Sequence, residues 1–262
     1  MKFCDYRFYK PTPTPSGMLR GSLILSAWGV LHPDCSWPQI EDIRQDMFAW
    51  RPDGHSVLPA DILLPCPEIK DANKQQIYHT WLDGWTPKVG EEFCQRRREK
   101  VLEVKSLYPS ALVTFANTLD AMRARDPQSL QRNGELNALA LERLVPVCDL
   151  IDYPMYLHQP TLHYIEAARQ EIRRLRKTLD DAGLSAMKLM ARFWWVARRP
   201  DPDNPSVPDW TTPVSMPVWR AGWDMLQAEL HSDDIAAAYC ESQPAEWDEA
   251  PWWTEFLSRA GV

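Results

Sequence analysis

The chain has 262 residues, 45% of them hydrophobic and 25% charged, with a formal net charge of −7. That length fits one (β/α) barrel or two smaller domains, and the acidic balance excludes general affinity for nucleic acid or for an anionic membrane. No stretch approaches the roughly 20 apolar residues of a membrane span, and the amino terminus lacks an apolar signal core, so a cytoplasmic product is expected, or a secreted one had a leader been removed.

In chain order, residues 10–17 (KPTPTPSG) read as a proline-rich surface arm. The run SLILSAW, ending at Trp28, is the first expected strand. Ser36, Trp37 and Pro38 then open a helix with Ile40, Ile43, Met47 and Trp50 on its apolar face. SVLPADILLPCPEI is the second strand, with Pro59 marking an edge or a bend and Glu68 at its exit. Residues 71–82 and 89–107 are helical in pattern, the latter through Phe93, Val101, Val104 and Leu107.

SALVTFAN supplies a third strand that ends in Asn117. A short helix at about 136–144 leads to residues 144–158, LVPVCDLIDYPMYLH. Its apolar first half reads as a strand buried on both faces, and its second half sets Asp149, Asp152, Tyr153, Tyr156 and His158 at the strand's exit. Residues 161–182 repeat Leu162, Ile165, Ala168, Ile172, Leu175 and Leu179 at helical spacing, and Gly183 supplies the stop. MKLMARFWWV is the fifth strand. The proline-rich stretch 198–213 reads as a loop insertion, PVWRAGWDMLQAEL as a helix from Pro217, DIAAAYCES as the sixth strand, and a last helix from near Glu249 carries Trp252, Trp253, Phe256 and Leu257.

Strand, amphipathic helix, strand is a βαβ unit, and parallel sheets with helical crossovers place ligands at the carboxyl ends of their strands. The expected fold is therefore α/β: a distorted or incomplete (β/α)8 TIM-type barrel in a single domain, 1–262, with six of the eight strands legible. Short apolar runs do not separate strand from buried helix, so a wholly helical interaction protein is the remaining architecture.

Six scattered cysteines form no CxxC pair, and Cys66, Cys148 and Cys240 fall in or at the end of apolar runs, which predicts buried thiols rather than zinc ligands or disulfides. His158 and His163 are five apart, the wrong spacing for two ligands on one helical face. No GxSxG, GxxxxGK[ST] or GxGxxG motif is present. Neither a metal nor a cofactor is expected.

Thirteen tryptophans are far more than ordinary usage supplies. Trp28 and Trp194 lie beside expected strand exits, and indole faces with a polar N–H suit sugar rings; at least half of the tryptophans are assigned to plain packing. Glycoside hydrolysis needs two acidic groups, one to protonate the leaving oxygen and one to attack, activate water or hold the substrate's own amide. Glu68, Asp149 and Asp152 are the candidates for this role. Trp28, Asn117, Tyr156, Trp194 and Glu241 are the candidate substrate-binding residues.

In layout, three stretches resemble the hyaluronidase-like group of glycosidase barrels. DLIDYPMYLH is similar to that group's strand in which an acidic residue precedes a proline and a tyrosine lining the sugar site. The helix from Pro217 with DIAAAYCES is similar to its late helix and penultimate segment, and WDEAPWW resembles the closing segment of related bacterial barrels. The resemblance implies a barrel and carbohydrate chemistry. It also implies a general acid in an Asp-x-Glu motif, where this chain has Asp61 and Glu68 at a different spacing, and a tryptophan at the last strand, where it has Cys240 and Glu241. Glu68 is the positional substitute for the acid. The expectation is a glycoside hydrolase acting on a poly- or oligosaccharide; the alternative is a catalytically silent barrel kept for carbohydrate binding or assembly.

Overall fold

The computed structural model describes residues 1–7, 15–21, 56–59, 87–114, 127–155, 161–194, 196–200, 208–240 and 251–262. In these the chain forms β1 (Lys2–Arg7), β2 (Leu19–Gly21), β3 (Ser56–Pro59), α1 (Pro87–Leu107), β4 (Leu112–Thr114), α2 (Pro127–Arg143), a 3-10 turn (Val145–Val147), β5 (Leu150–Met155), α3 (Leu162–Asp181), β6 (Lys188–Trp194), β7 (Val196–Pro200), β8 (Pro208–Pro213), α4 (Met216–Glu229), β9 (Ile235–Cys240) and α5 (Pro251–Ala260). The fold is mixed α/β with parallel strand pairing. Two compact units divide it, one of Met1–Gly21 with Asp152–Val262 and the other of Ser22–Ile151.

In the first unit the strands run in the order β2-β1-β9-β6-β5. β1 pairs in parallel with β2 and with β9, and β9 in parallel with β6. Helix α3 carries the chain from β5 to β6, and α4 carries it to β9, the crossovers that parallel strands require. Thr161 caps α3 by accepting a hydrogen bond from Tyr164 N at 3.3 Å. Gly183, at φ 72°, ends it in the left-handed turn that a Cβ would strain. Ile165, Ala168, Ile172, Leu175 and Leu179 are buried as their spacing predicts, whereas Leu162, at the first turn, is 63% exposed.

One face of this sheet is covered by α4 and α5. Val218, Trp219, Gly222, Trp223 and Leu226 recur on one stripe of α4 and are buried. Phe193 of β6 meets Trp223 edge-on with ring centres 5.3 Å apart, and Phe3 of β1 meets Phe256 of α5 at 5.6 Å. Each such ring contributes about 1.5–3 kcal/mol by leaving water, with a further term for ring geometry. Ala236 and Ala238, in register with Ala191 and Phe193, stand beside these rings with short side chains.

In the second unit β3 and β4 pair in parallel with Val57 opposite Leu112. Cys94, Val101 and Val104 of α1 and Leu136 and Ala140 of α2 form a core with Val113 and Leu144. Arg98 Nη1 donates to the carbonyl of Arg143 at 3.2 Å, satisfying an orphan acceptor at the end of α2.

Two expectations change, and one strand is added. The strand sought from residue 144 begins at Leu150, because Val145, Pro146 and Val147 form a 3-10 turn with proline in its first positions. The stretch 198–213, expected as a loop, contributes most of an antiparallel hairpin of β7 and β8. β1, a stretch for which the sequence carried no expectation, is a strand with partners on both sides. The expected strand at 22–28, the helix opened by Ser36 and the helix at 71–82 lie outside the described residues.

Candidate functional site

Strand alternation separates the two faces of the first unit's sheet. Phe193 and Phe3 lie on the helix-covered face, so Arg192 of β6, Ala237 of β9 and Cys4 of β1, which stand side by side in register, belong to the other. Tyr153 of β5 donates to Glu171 of α3 at 2.5 Å and so faces the helices; its neighbour Asp152 therefore faces the same way as Arg192. The two meet there. Arg192 Nε donates to Asp152 Oδ1 at 2.6 Å, and both residues are at most 2% exposed.

A guanidinium inside a sheet needs room and a counter-charge. Ala237, the in-register neighbour, leaves the room, and Asp152 supplies the charge. Removing one partner of such a pair costs about 3–5 kcal/mol, because the other is left charged and desolvated. Two residues further along each strand lies a second row: Tyr6, Tyr239 and Trp194 occupy adjacent register positions on β1, β9 and β6. These are the last or next-to-last positions of their strands, at the carboxyl edge where parallel sheets with helical crossovers bind ligands. Trp194 was expected at such a place; Tyr6 and Tyr239 were missed. Their signal was an aromatic residue near the end of each short run.

Asp149 is elsewhere. It was expected at the exit of its strand with Asp152, but it immediately precedes β5, at the amino end. There its Oδ2 accepts from Val113 N at 2.8 Å, its own N–H donates to Val113 O at 2.8 Å, and its Oδ1 pairs with Lys105 Nζ at 2.7 Å. Lys105 also donates to Val147 O at 2.9 Å, so the carboxylate and the ammonium together hold the start of β5 to β4 and α1. An acid at the amino end is placed to stabilise, not to reach a ligand at the carboxyl edge. Glu68, Trp28, Asn117, Tyr156 and Glu241 lie outside the described residues.

Among the described residues no group of three or more His, Cys, Asp or Glu could hold a metal, and no helix is long and apolar enough to cross a membrane. Cys4, Cys94 and Cys148 are buried and outside any disulfide, and burial pushes the Cys94 thiol above its ordinary range against the opposing pull of Arg97 and Arg143.

No protein-family profile matches the chain, and no curated protein matches it. Among solved structures, bee venom hyaluronidase is similar at 13% identity and a TM-score of 0.49, over 84% of this chain and 75% of that one. Bee venom hyaluronidase in complex with a hyaluronic acid tetramer is similar at 13% identity and a TM-score of 0.46, over 84% of this chain and 72% of that one.

Proposed function

We propose that this chain is a glycoside hydrolase on a single domain of distorted (β/α)-barrel type, acting on a poly- or oligosaccharide at the carboxyl edge of its parallel strands. The observation that carries the reading is the register row of Tyr6, Tyr239 and Trp194, set directly beyond the buried Asp152–Arg192 pair. Aromatic residues suit the C–H faces of pyranose rings, and a carboxylate fixed by a guanidinium is a preorganised anion near the place where positive charge develops on the sugar. In this reading Glu68 donates the proton to the leaving oxygen and Asp152 orients substrate or water. Tyr156, Trp28, Asn117 and Glu241 shape the subsites, and Asp149 has no chemical part. Replacing Glu68 by Gln should abolish turnover on a panel of chromogenic glycosides with melting unchanged; unaltered turnover would remove Glu68 from the mechanism.

A specific observation favours a second reading, a carbohydrate-binding protein without catalysis. Asp152 is already engaged by Arg192, and the chain lacks an Asp-x-Glu pair at its early strand. Quenching of tryptophan fluorescence by oligosaccharides with no reducing ends released would select this reading.

A further inference from the structure

We propose that the β7–β8 hairpin forms an outer subsite of the glycan-binding edge, with Trp210 as the residue that holds a sugar there, an inference that rests on the carbohydrate reading above. The hairpin is rooted at that edge on both legs. β6 ends at Trp194 and β7 begins at Val196, while β8 ends at Pro213 and α4 begins at Met216. Between β8 and α4, Val214 is fully buried and its carbonyl accepts from Trp252 Nε1 of α5 at 2.9 Å, which fixes the returning leg. Ala197 stands opposite Thr212 and Arg199 opposite Asp209, so Arg198 is set across from two residues, Trp210 and Thr211. Two residues against one make a bulge, a device that re-aims a side chain and that recurs beside active sites. Pro200, Pro208 and Pro213 occupy three of the four strand ends. A proline offers no N–H to a further strand, so the hairpin is built against strand addition by a protein partner, and a compact ligand is the better-suited occupant. Arg198 is four residues beyond Trp194, about 13 Å at full extension, and Trp210 is one strand spacing, about 5 Å, across from it. That reach is within the span of a short oligosaccharide whose first sugar occupies the row. An indole suits the apolar face of a pyranose, and a guanidinium at the same bulge suits its hydroxyls.

The test is calorimetric titration of the full chain with cello-, chito-, malto- and hyaluronan oligosaccharides, each from disaccharide to hexasaccharide, repeated on Trp210→Ala, Trp210→Leu and Trp210→Phe with a melting curve for each. In at least one series the native affinity should rise with length. Trp210→Ala and Trp210→Leu should remove about tenfold of that rise, the worth of one well-placed aromatic ring, and Trp210→Phe, which keeps a flat ring, should retain most of it. Leucine keeps apolar bulk without a ring face, so a folded Trp210→Leu carries the test even where Trp210→Ala fails to fold. A native affinity that is flat with length, or a folded Trp210→Leu with the native length preference, would overturn the inference and leave the carbohydrate reading standing. An equal loss at every length, the disaccharide included, would also overturn it, because Trp210 would then not hold an outer sugar. Binding of none of the series by the native chain would overturn both.

Discussion

Asp149 and Asp234 do the same work at the starts of two different strands. Each immediately precedes its strand, β5 and β9 respectively. Each carboxylate accepts the backbone N–H of another strand at 2.8 Å, Val113 of β4 for Asp149 and Leu189 of β6 for Asp234. Each also pairs with a cation from the helix preceding that other strand, Lys105 of α1 in one case and Arg176 of α3 in the other. Asp234 further accepts from His231 N at 2.7 Å, and its carbonyl accepts from Lys2 N at 2.7 Å, so it ties β1, β6, β9 and α3 together. Both aspartates are latches at amino ends.

Removing the latches should lower stability without touching a glycan site. Asp149→Ala leaves Val113 N without its carboxylate partner, and a loss of about 1–3 kcal/mol is expected in urea unfolding. Asp234→Ala leaves the largely covered Arg176 with the Met187 carbonyl but without its counter-charge, and about 3 kcal/mol is expected. A folded Asp149→Asn protein with normal melting but no glycan binding would show that Asp149 acts on ligand after all.

The Asp152–Arg192 pair should be non-additive. Asp152→Ala or Arg192→Met alone is expected to cost about 3–5 kcal/mol, while the double variant, with no isolated charge, should recover a good part of that loss. A double-mutant cycle by chemical denaturation measures this; strict additivity would mean that the two charges do not depend on one another.

Gly222 is required by close approach and not by a special backbone angle. A Cβ there would meet the Phe193 ring, with Cε1 at 2.9 Å, and that ring is pinned between Trp219 and Trp223. Gly222→Ala should therefore destabilise by about 1–3 kcal/mol despite alanine's better helix propensity. An equal or higher melting temperature would show that α4 can withdraw from β6 at little cost.

Acid should weaken the bond between α3 and α4. Arg173 donates to both carboxylate oxygens of Glu229, at 2.8 and 2.7 Å, and these hydrogen bonds hold the Glu229 carboxyl below the usual glutamate range against the opposing effect of its partial burial. A depressed folded value gives stability that is present above the unfolded pKa, about 4.3 for glutamate, and is lost as pH falls through the lower folded value. The melting difference between the native chain and Arg173→Gln should be full near neutrality and shrink as pH drops below that range. A gap that widens toward acid would contradict the pairing.

The sequence disclosed the helices better than the strands, for physical reasons. In α3 and α4 the 3.6-residue period survives because one stripe faces a core, and the end signals Thr161, Gly183 and Pro217 are local chemistry. β1 was hidden because its six residues mix charged and apolar side chains and its principal partner, β9, is more than 200 residues away, from Lys2 to Ile235. The hairpin of β7 and β8 was masked by Pro200, Pro208 and Pro213. The misplacement of Asp149 came from reading an apolar run as a strand where Pro146 turns it into a 3-10 segment; a shift of a few residues moved the acid from one end of the strand to the other. Asp152, expected at its strand's exit, is the third of the six residues of β5 and is buried, and its partner Arg192 was not foreseen, since an arginine within MKLMARFWWV gives no sign of facing an acid 40 residues earlier.

The most direct test is to assay reducing ends released from a broad glycan panel by the native chain, Glu68→Gln and Asp149→Asn side by side, with melting curves for all three. The native chain should cleave at least one glycan of the panel, Asp149→Asn should match it, and Glu68→Gln should release nothing while remaining folded. A native chain that neither cleaves nor binds any glycan, or a folded Asp149→Asn that is inactive beside an active Glu68→Gln, would contradict it.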